Sequence, residues 1–550
     1  MKIARLIGAA GSGKTTELLR IMEGALPKLG NDPLRLGFAS FTRAARAEAV
    51  SRASAAWGVP PSLLEQDGWF RTVHSTCKRC LGVRPGQLIG DTQKDVEWIS
   101  NALGVKISTQ LDDEAGRNRF IGDPVVAASL NCWALAKNSL LPVEEVVRRM
   151  RQVDDDVPDF AAIVRVAERY EMAKRLDEDR LDFADLLMRF AGLRIDPTGS
   201  VSRVEPEGEL PPVDAWLFDE QQDASPLLDM VCKRLVSAPT VKWCYVVGDP
   251  FQAIYGFAGS SADCFLGWPA EKERTMPKSY RCPATILALG EKCLRRMSRG
   301  YFDRGVAPAD HSGEVIEADD VELPISIAKS DEDWLFLART NYQANRLYAA
   351  LQNHYKPCRW VKSPDGMTSR AEGLKALYAL ERDGYVTGKQ WASAIALLPA
   401  SNKDKEPVLT RGVKTRWGKE HADTWDKIFA SDLPNVGAEP SLVEAIKTGA
   451  WCRLVDRGFG WREQAVRHGA DIAAEPKIRV GTIHSVKGAE ADNVVFLTTI
   501  GKRVEQGMEN PEQADEEHRI AYVAVTRARR RLFVVNEGKA GRRVPRMEVL

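Results

Sequence analysis

A phosphate-binding pattern stands within the first sixteen residues of the chain. Residues 8–15 read GAAGSGKT and match the pattern G-x-x-x-x-G-K-S/T in full. Glycines let backbone N–H groups wrap around phosphate oxygens, and the N-terminus of the following helix favours negative charge. In such a loop the lysine contacts the β- and γ-phosphates and the hydroxyl ligates Mg²⁺, which predicts these roles for Lys14 and Thr15. The predicted nucleotide-binding residues are Gly8, Ala9, Ala10, Gly11, Ser12, Gly13, Lys14, Thr15 and Thr16.

A pair of acidic residues follows another apolar run. The segment LFDEQQD places Asp219 and Glu220 directly after that run. Carboxylates at the carboxyl end of a strand lie where open α/β sheets bind ligands. A nucleotide site needs a carboxylate for Mg²⁺ and a group that orients water, so we expect Asp219 to bind the metal and Glu220 to act as general base. An acidic pair after a strand can also cap a helix, but the phosphate-binding loop upstream favours the nucleotide site.

The elements that must position these residues alternate between strands and helices. The run KIARLIG reads as a buried strand before the glycine loop, and a helix is predicted from about Lys14. The same alternation continues through LRLGFASF, TRAARAEAVSRA, VDAWLFDE and VKWCYVVGD, and returns in DEDWLFLARTNYQANRLYAALQ and KIRVGTIHSVKGAEADNVVFL. Strands alternating with helices predict an α/β fold with parallel sheets.

Two stretches interrupt this alternation and divide the chain. Residues 81–180 look mostly helical, and residues 364–476 form a polar stretch that contains tryptophan. We therefore predict two α/β cores, each interrupted by one helical or mixed insertion. The first core comprises residues 1–80 and 181–275, and the second comprises residues 276–363 and 477–550.

Composition excludes several classes of protein. The chain carries 77 Lys and Arg against 76 Asp and Glu, a formal net charge of +1, so a nucleic-acid contact must use a local basic surface. No apolar run approaches the roughly 18 residues of a membrane span, and the short N-terminal apolar stretch does not resemble a signal peptide. The 10 cysteines follow no disulfide or zinc framework. We expect a protein of the bacterial cytoplasm, or a phage or plasmid protein acting there, without a membrane partner.

The order of the motifs resembles a known family. GAAGSGKT, FTRAA, TVHS, LDFADLL, DEQQD, VVGDPFQAIY, SYR, LARTN, TIHSVKGAEA and YVAVTRAR follow one another along the chain. In this order they resemble superfamily 1 DNA helicases of the UvrD/PcrA/Rep group, in a compact form. The resemblance implies two RecA-like motor cores and an enzyme that hydrolyses ATP, with Mg²⁺, while moving on DNA.

The resemblance also implies roles for residues around a cleft between the cores. Gln252 would sense the γ-phosphate from the first core, and Tyr280 would stack on the base. Arg281 would contact the γ-phosphate, Glu490 would approach the ribose, and Arg527 would act as the arginine finger. An arginine finger stabilises the charge of the phosphoryl-transfer transition state. The alternative for both arginines is a surface salt bridge.

The same resemblance implies a surface along which single-stranded DNA binds, called the single-strand track below. Single-strand binders combine stacking aromatic side chains with cations along the nucleic-acid backbone. Core packing of the aromatic residues and a structural role for the histidines are the alternatives. The residues that would line the track are Phe41, Thr42, His74, Ser75, Tyr255, Phe257 and His484.

Two departures from the family pattern affect these expectations. Only seven residues precede Gly8, so we expect the upstream glutamine motif that reads adenine to be missing or differently supplied, which makes the expected preference for ATP over GTP less secure. The family pattern Trp-Arg-Gly is replaced by residues 257–259, which read Phe-Ala-Gly and alter a DNA contact.

A basic cluster in the second insertion admits two interpretations. Arg411, Lys414, Arg416 and Lys419 surround Trp417. Interleaved basic and aromatic residues suit a nucleic-acid surface, and a solvated loop is the equal alternative.

We expect an ATP-driven helicase that moves 3′-to-5′ on single-stranded DNA and acts at junctions with duplex. The direction is implied by the resemblance alone. One alternative is a translocase or protein-displacing ATPase that does not separate duplex. Another is the motor subunit of a helicase–nuclease, with the nuclease, or a loading factor, as a separate partner. A P-loop switch protein without DNA does not account for Gln252, Arg281 and Arg527 together.

Overall fold

The computed structural model describes most of the chain. The described residues are 1–41, 43–84, 86–90, 92–112, 117–151, 157–256, 259–361, 366–417, 425–455, 476–538 and 545–549. Structural statements below concern these residues.

A six-stranded parallel sheet forms the first core. Its strands, in spatial order, are Lys272–Thr275, Lys2–Ile7, Trp243–Gly248, Ala215–Phe218, Leu36–Ser40 and Trp69–Thr72. The inner strands Ala215–Phe218 and Leu36–Ser40 are short apolar runs buried on both faces, as expected where helices cover a parallel sheet, whereas the edge strand Lys272–Thr275 is polar and largely exposed. One face packs on helices Val73–Cys80, Phe183–Ala191, Pro226–Val236 and Ala262–Leu266. The other packs on helices Lys14–Ala25 and Arg43–Trp57.

A second six-stranded parallel sheet forms the second core. Its strands, in spatial order, are Glu314–Ala318, Ala528–Val535, Ala491–Leu497, Trp334–Ala338, Ile478–Thr482 and Cys358–Trp360. Helices Ala284–Leu294 and Pro511–Val525 cover one face, and helices Glu322–Ile327 and Asn341–Asn353 cover the other. A shorter helix spans Lys502–Gly507. The two sheets confirm the predicted fold of two RecA-like α/β cores.

The segment between strands Trp69–Thr72 and Ala215–Phe218 contains a mostly helical unit with its own hydrophobic cluster. Its helices are Gln93–Leu103, Pro124–Ser139, Val143–Met150 and Phe160–Leu176. An antiparallel hairpin, Ile107–Asp112 with Arg117–Gly122, also belongs to it and was not foreseen from the sequence. A second short antiparallel pair, Leu193–Ile195 with Val201–Arg203, follows helix Phe183–Ala191.

The second insertion is also mainly helical and encloses its own cluster of apolar residues. Its helices are Gly366–Glu381, Gly388–Leu397, Val413–Arg416 and Pro440–Lys447, with a strand pair Tyr385–Val386 and Ile428–Phe429. Trp417 lies in that cluster and is 4% exposed. Its indole therefore stabilises the insertion and is not a surface aromatic. Arg411, Lys414 and Arg416 are exposed, and Lys419 lies outside the described residues.

All ten cysteines are free thiols. In the described part of the chain, none of the helices combines the length and the apolar character that crossing a membrane requires.

Candidate nucleotide site between the two cores

The glycine loop connects strand Lys2–Ile7 to helix Lys14–Ala25. Gly11 and Gly13 have φ angles of 69° and 79°, in the left-handed region that glycine adopts at little cost. Gly13 is the N-cap of the helix and has no side chain that could accept a hydrogen bond. The first N–H groups of the helix therefore face the loop without a side-chain partner. The Lys14 Nζ donates to the Gly8 carbonyl at 3.2 Å, across the mouth of the loop. This arrangement fits a phosphate chain.

Asp219 and Glu220 follow the central strand Ala215–Phe218 on the same edge of the sheet as the loop. Asp219 is 2% exposed, and burial together with the neighbouring Glu220 raises its pKa to about 7. Burial alone would raise the pKa of Glu220 as well, but the charges of Lys14 and Lys487 hold it below its ordinary value. A buried carboxylate oxygen is the kind of ligand that Mg²⁺ prefers, so the donor set fits that ion.

The segment that leads into the second core lies directly on the glycine loop. The Tyr280 N–H donates to the Gly11 carbonyl at 2.8 Å, and the Ser279 Oγ donates to the Ala10 carbonyl at 2.7 Å. A Cβ on Gly11 would stand 2.2 Å from the Cβ of Arg281, so this position requires glycine. The Tyr280 side chain is exposed and passes beside Gly13. A ring in this place is open to stacking on a flat ligand.

Arg281 and Glu490 contact each other. The Arg281 Nε donates to the Glu490 carboxylate at 2.5 Å, and Arg529 pairs with the same carboxylate. Although burial alone would raise it, the two guanidinium groups hold the pKa of Glu490 below its ordinary value. The structure thus brings together the two residues predicted for the γ-phosphate and the ribose, as a salt bridge that is only partly exposed.

Arg527 reaches from the second core to Gln252 of the first. Its side chain is buried, and its Nη2 donates to the Gln252 Oε1 at 3.3 Å. Its other hydrogen bonds run to the carbonyls of Val523 and Ala489. Burial and the nearby Arg281 lower the pKa of Arg527 to about 10, which leaves it charged at neutral pH. Because all three acceptors are uncharged oxygens, the guanidinium keeps its positive charge available for an anion.

Lys487 joins the two cores and was missed as a functional residue, although it stands within TIHSVKGAEA. Its Nζ contacts both oxygens of Asp223 at 2.5 and 2.7 Å and donates to the Gln252 carbonyl at 2.5 Å. The ammonium also lies 5.0 Å from the centre of the Tyr255 ring. A cation in this position connects the acidic loop of the first core to the segment that carries Gln252.

Two of the predicted DNA-track residues meet where the cores join. The Tyr255 hydroxyl donates to the His484 carbonyl at 3.1 Å, and a His484 ring nitrogen lies 3.1 Å from the Ile254 carbonyl. His484 is 1% exposed, so its ring packs between the cores in this conformation. Thr42 and Phe257 lie outside the described residues.

The other track residues lie on the first core, near the end of its edge strand. The His74 ring contacts Phe183 edge-on with ring centres 5.6 Å apart, and Phe183 is 38% exposed. Ser75 accepts a hydrogen bond from Arg71 at 3.2 Å. Phe41 is half-buried and packs against the hydrophobic cluster of the first core. The structure thus places these residues at one end of the sheet and Tyr255 with His484 at the junction.

The two parallel-sheet cores, with the glycine loop of the first core against the second, place the protein in the class of P-loop proteins with two α/β cores. The family of the UvrD/REP helicase N-terminal domain matches residues 2–271, and the family of the UvrD-like helicase C-terminal domain matches residues 463–538. The chain belongs to the UvrD/Rep helicase family, as its motif order predicted.

Curated relatives include two helicases of Mycobacterium tuberculosis. The chain is 27% identical to the ATP-dependent DNA helicase UvrD2 over 439 residues, which cover 72% of this chain and 57% of that relative. It is 23% identical to the ATP-dependent DNA helicase UvrD1 in an alignment 661 residues long, which covers 96% of this chain and 79% of that relative. The chain therefore spans little more than half the length of UvrD2.

Proposed function

We propose that this protein is an ATP-dependent DNA helicase that moves along single-stranded DNA and separates duplex. The observation that carries the proposal is a pair of contacts between the cores: Arg281 of the second core lies against Gly11 of the P-loop, and Arg527 of the second core bonds Gln252 of the first. A nucleotide held between two bodies can change their separation when it is bound and hydrolysed, because its charge is stabilised by groups from both. Membership of the UvrD/Rep family supports the same function.

The nucleotide would be held by the residues of the glycine loop. Lys14 would pair with its phosphates, and the Tyr280 ring would stack on its base. The Thr15 hydroxyl and the Asp219 carboxylate would hold Mg²⁺, which when bound neutralises charge on the phosphate oxygens. Glu220 would take the proton of the attacking water, because its carboxylate is ionised at neutral pH.

Charge that develops on the phosphoryl group would be stabilised by Arg527 and Arg281. Gln252, which already accepts from Arg527, would report the state of the γ-phosphate to the segment that follows it. The salt bridge between Arg281 and Glu490 would open so that these side chains reach the phosphate and the ribose.

We assign the single-strand track to the aromatic and polar residues named from the sequence. Support comes from His74 beside the partly exposed Phe183, and from Tyr255, which adjoins the segment that carries Gln252. A strand bound there would be in contact with both cores. Movement in the 3′-to-5′ direction is proposed from the family resemblance. The domain boundaries at residues 80, 180, 275, 363 and 476 are part of the same proposal.

The test is unwinding of matched duplexes that carry either a 3′ or a 5′ single-stranded tail. We expect ATP-dependent unwinding of the 3′-tailed duplex and none of the 5′-tailed one, with Lys14→Ala as the inactive control. Displacement of a protein from single-stranded DNA, without strand separation, would instead support a translocase that does not unwind. ATPase activity that DNA does not stimulate would contradict both.

A further inference from the structure

Arg304 is a buried arginine that none of the sequence motifs contains. It lies in the loop after helix Ala284–Leu294, and its side chain is 0% exposed. Its Nη1 donates to the Asp249 Oδ1 at 2.8 Å and to the Tyr522 hydroxyl at 3.2 Å. Its Nη2 donates to the Glu291 carboxylate at 2.5 Å. One guanidinium thus connects a carboxylate of the first core to a carboxylate and a phenol of the second.

Asp249 is the link from this arginine to the nucleotide site. Its Oδ2 accepts from the Gln252 Nε2 at 2.8 Å and from the Tyr522 hydroxyl at 3.2 Å. The same hydroxyl accepts the N–H of Ala10 in the glycine loop at 3.2 Å. An ionised carboxylate only accepts hydrogen bonds, so the Gln252 amide must present its nitrogen, and not its oxygen, to Asp249. The amide oxygen then faces Arg527, to which it is bonded.

We infer that Arg304 is a positioning residue for hydrolysis, acting through Asp249 on Gln252. The inference deepens the proposed function and rests on it. Asp249 is itself 0% exposed, so its charge requires a buried counter-ion, and Arg304 provides one. Without the guanidinium, Asp249 loses its charged donor and is held only by neutral ones, the Phe251 N–H on Oδ1 and the Tyr522 hydroxyl and Gln252 amide on Oδ2, so its orientation is less firmly fixed. The hydrogen bond by which Asp249 directs the Gln252 oxygen toward Arg527 is then weakened.

The forked shape of the Arg304 guanidinium is also required for this positioning role. Arginine presents donors in a rigid plane, and here two of its nitrogens serve two carboxylates at once. Lysine has one nitrogen on a flexible stem and cannot reproduce this geometry. Arg304→Lys should therefore retain the charge but restore only part of the function that Arg304→Met removes.

The first experiment compares Arg304→Met with Arg299→Met, a control at an exposed arginine of the same loop. We expect Arg304→Met to lower the DNA-stimulated kcat by roughly 10²-fold, since misplacement of a reacting group by about 1 Å costs that much. The KM for ATP and the affinity for a non-hydrolysable ATP analogue should change little. Arg304→Lys should lie between wild type and Arg304→Met. Thermal unfolding of each variant reports any general loss of stability.

A double-mutant cycle with Gln252→Ala separates positioning from a structural role. If Arg304 acts through Gln252, Arg304→Met should cause little further loss of kcat in the Gln252→Ala background. Either of two results would overturn the inference. The losses of kcat from Arg304→Met and Gln252→Ala could multiply in the double variant, or Arg304→Met could have the same kcat as Arg299→Met and differ only by unfolding at a lower temperature. Failure of the proposed function is recognised separately: wild type would then show no DNA-stimulated ATPase activity, and Glu220→Gln would not differ from it.

Discussion

Glu220 occupies an unusual backbone position for a residue with a side chain. Its φ of 55° lies in the left-handed region, which costs of the order of 1–3 kcal/mol outside glycine. It is the second residue after the strand that ends at Phe218, and its carboxylate lies in the field of Lys14 and Lys487. Strain of this kind persists where the surrounding structure holds it, and it clusters at active sites.

Replacement of Glu220 by glutamine tests its role as a base. Glu220→Gln keeps the size of the side chain but removes the proton acceptor, so ATP should bind normally and be hydrolysed roughly 10²–10⁴-fold more slowly. Lys14→Ala is the contrasting variant, because it removes the charge that pairs with the phosphates and should lose binding as well. Binding and turnover are measured separately. Hydrolysis by Glu220→Gln at the wild-type rate would show that another group is the base.

Arg527 combines a buried charge with uncharged hydrogen-bond partners. Arg527→Ala should lower DNA-stimulated kcat by roughly 10³–10⁵-fold, because an arginine finger acts on charge that develops in the transition state. The affinity for ATP should fall much less. Arg530→Ala, three residues along at an exposed position, is the matched control. A raised KM with an unchanged kcat would contradict the finger role.

At the scale of elements, side chains of the second core hold one short segment of the first core through its backbone. The carbonyls of residues 252, 253 and 254 lie within hydrogen-bond distance of the side chains of Lys487, Arg519 and His484. The N–H of Gly256 donates to Glu516 at 2.9 Å. Because these contacts reach four backbone groups between residues 252 and 256, they hold the segment along its length. It carries Gln252 at one end and leads to Phe257 at the other, which suits it to couple nucleotide and DNA.

Substitutions at the end of this segment test whether it touches DNA. A stacked base contributes roughly 1–3 kcal/mol by alanine substitution, so Phe257→Ala should weaken single-strand binding and leave DNA-free ATPase activity intact. Ala258→Arg, which restores the family's cation, should tighten binding. It should also steepen the salt dependence by about one counterion. Affinity is measured at several salt concentrations. Normal DNA binding by a Phe257→Ala protein that melts earlier would make Phe257 a core residue.

At the scale of the whole molecule, a buried charge cluster attaches the first insertion to its core. Lys137 and Lys174, on insertion helices, contact Glu171, Asp182 and Asp185 at 2.5–3.2 Å. Asp182 and Asp185 also form the capping box of helix Phe183–Ala191, whose first residue contacts His74. Three carboxylates grouped in this way resemble a metal site. The two ammonium groups already balance two of the three negative charges, and each contacts all three carboxylates. We therefore interpret the cluster as a structural joint.

Removal of one ammonium should destabilise the protein strongly. Lys137→Met leaves three carboxylates with one cation, and breaking a buried pair costs about 3–5 kcal/mol. Lys94→Met, at an exposed position of the same insertion, should be nearly neutral. Asp182→Asn in the Lys137→Met background should recover part of the loss. Thermal and urea unfolding provide the measurement, and equal midpoints for Lys137→Met and Lys94→Met would contradict the role of the cluster.

The sequence by itself determined the fold class and the family. Strands such as Trp334–Ala338 are continuous apolar runs, and the glycine loop is a contiguous pattern, so short-range signals suffice to recognise them. The order of the motifs then led to the UvrD/Rep family, which the two domain matches confirm. The roles of the predicted site residues remain predictions that the substitutions above address.

Only the tertiary structure decided which side chains meet. Arg304 and Asp249 are 55 residues apart, and Arg281 and Glu490 are 209 apart, so no local periodicity relates the members of either pair. Trp417 shows the same limit, because basic neighbours in sequence suggested a surface while its indole packs inside the insertion. The physical reason is that burial and ion pairing depend on which elements pack together. That packing is set by the two sheets and their helices as a whole.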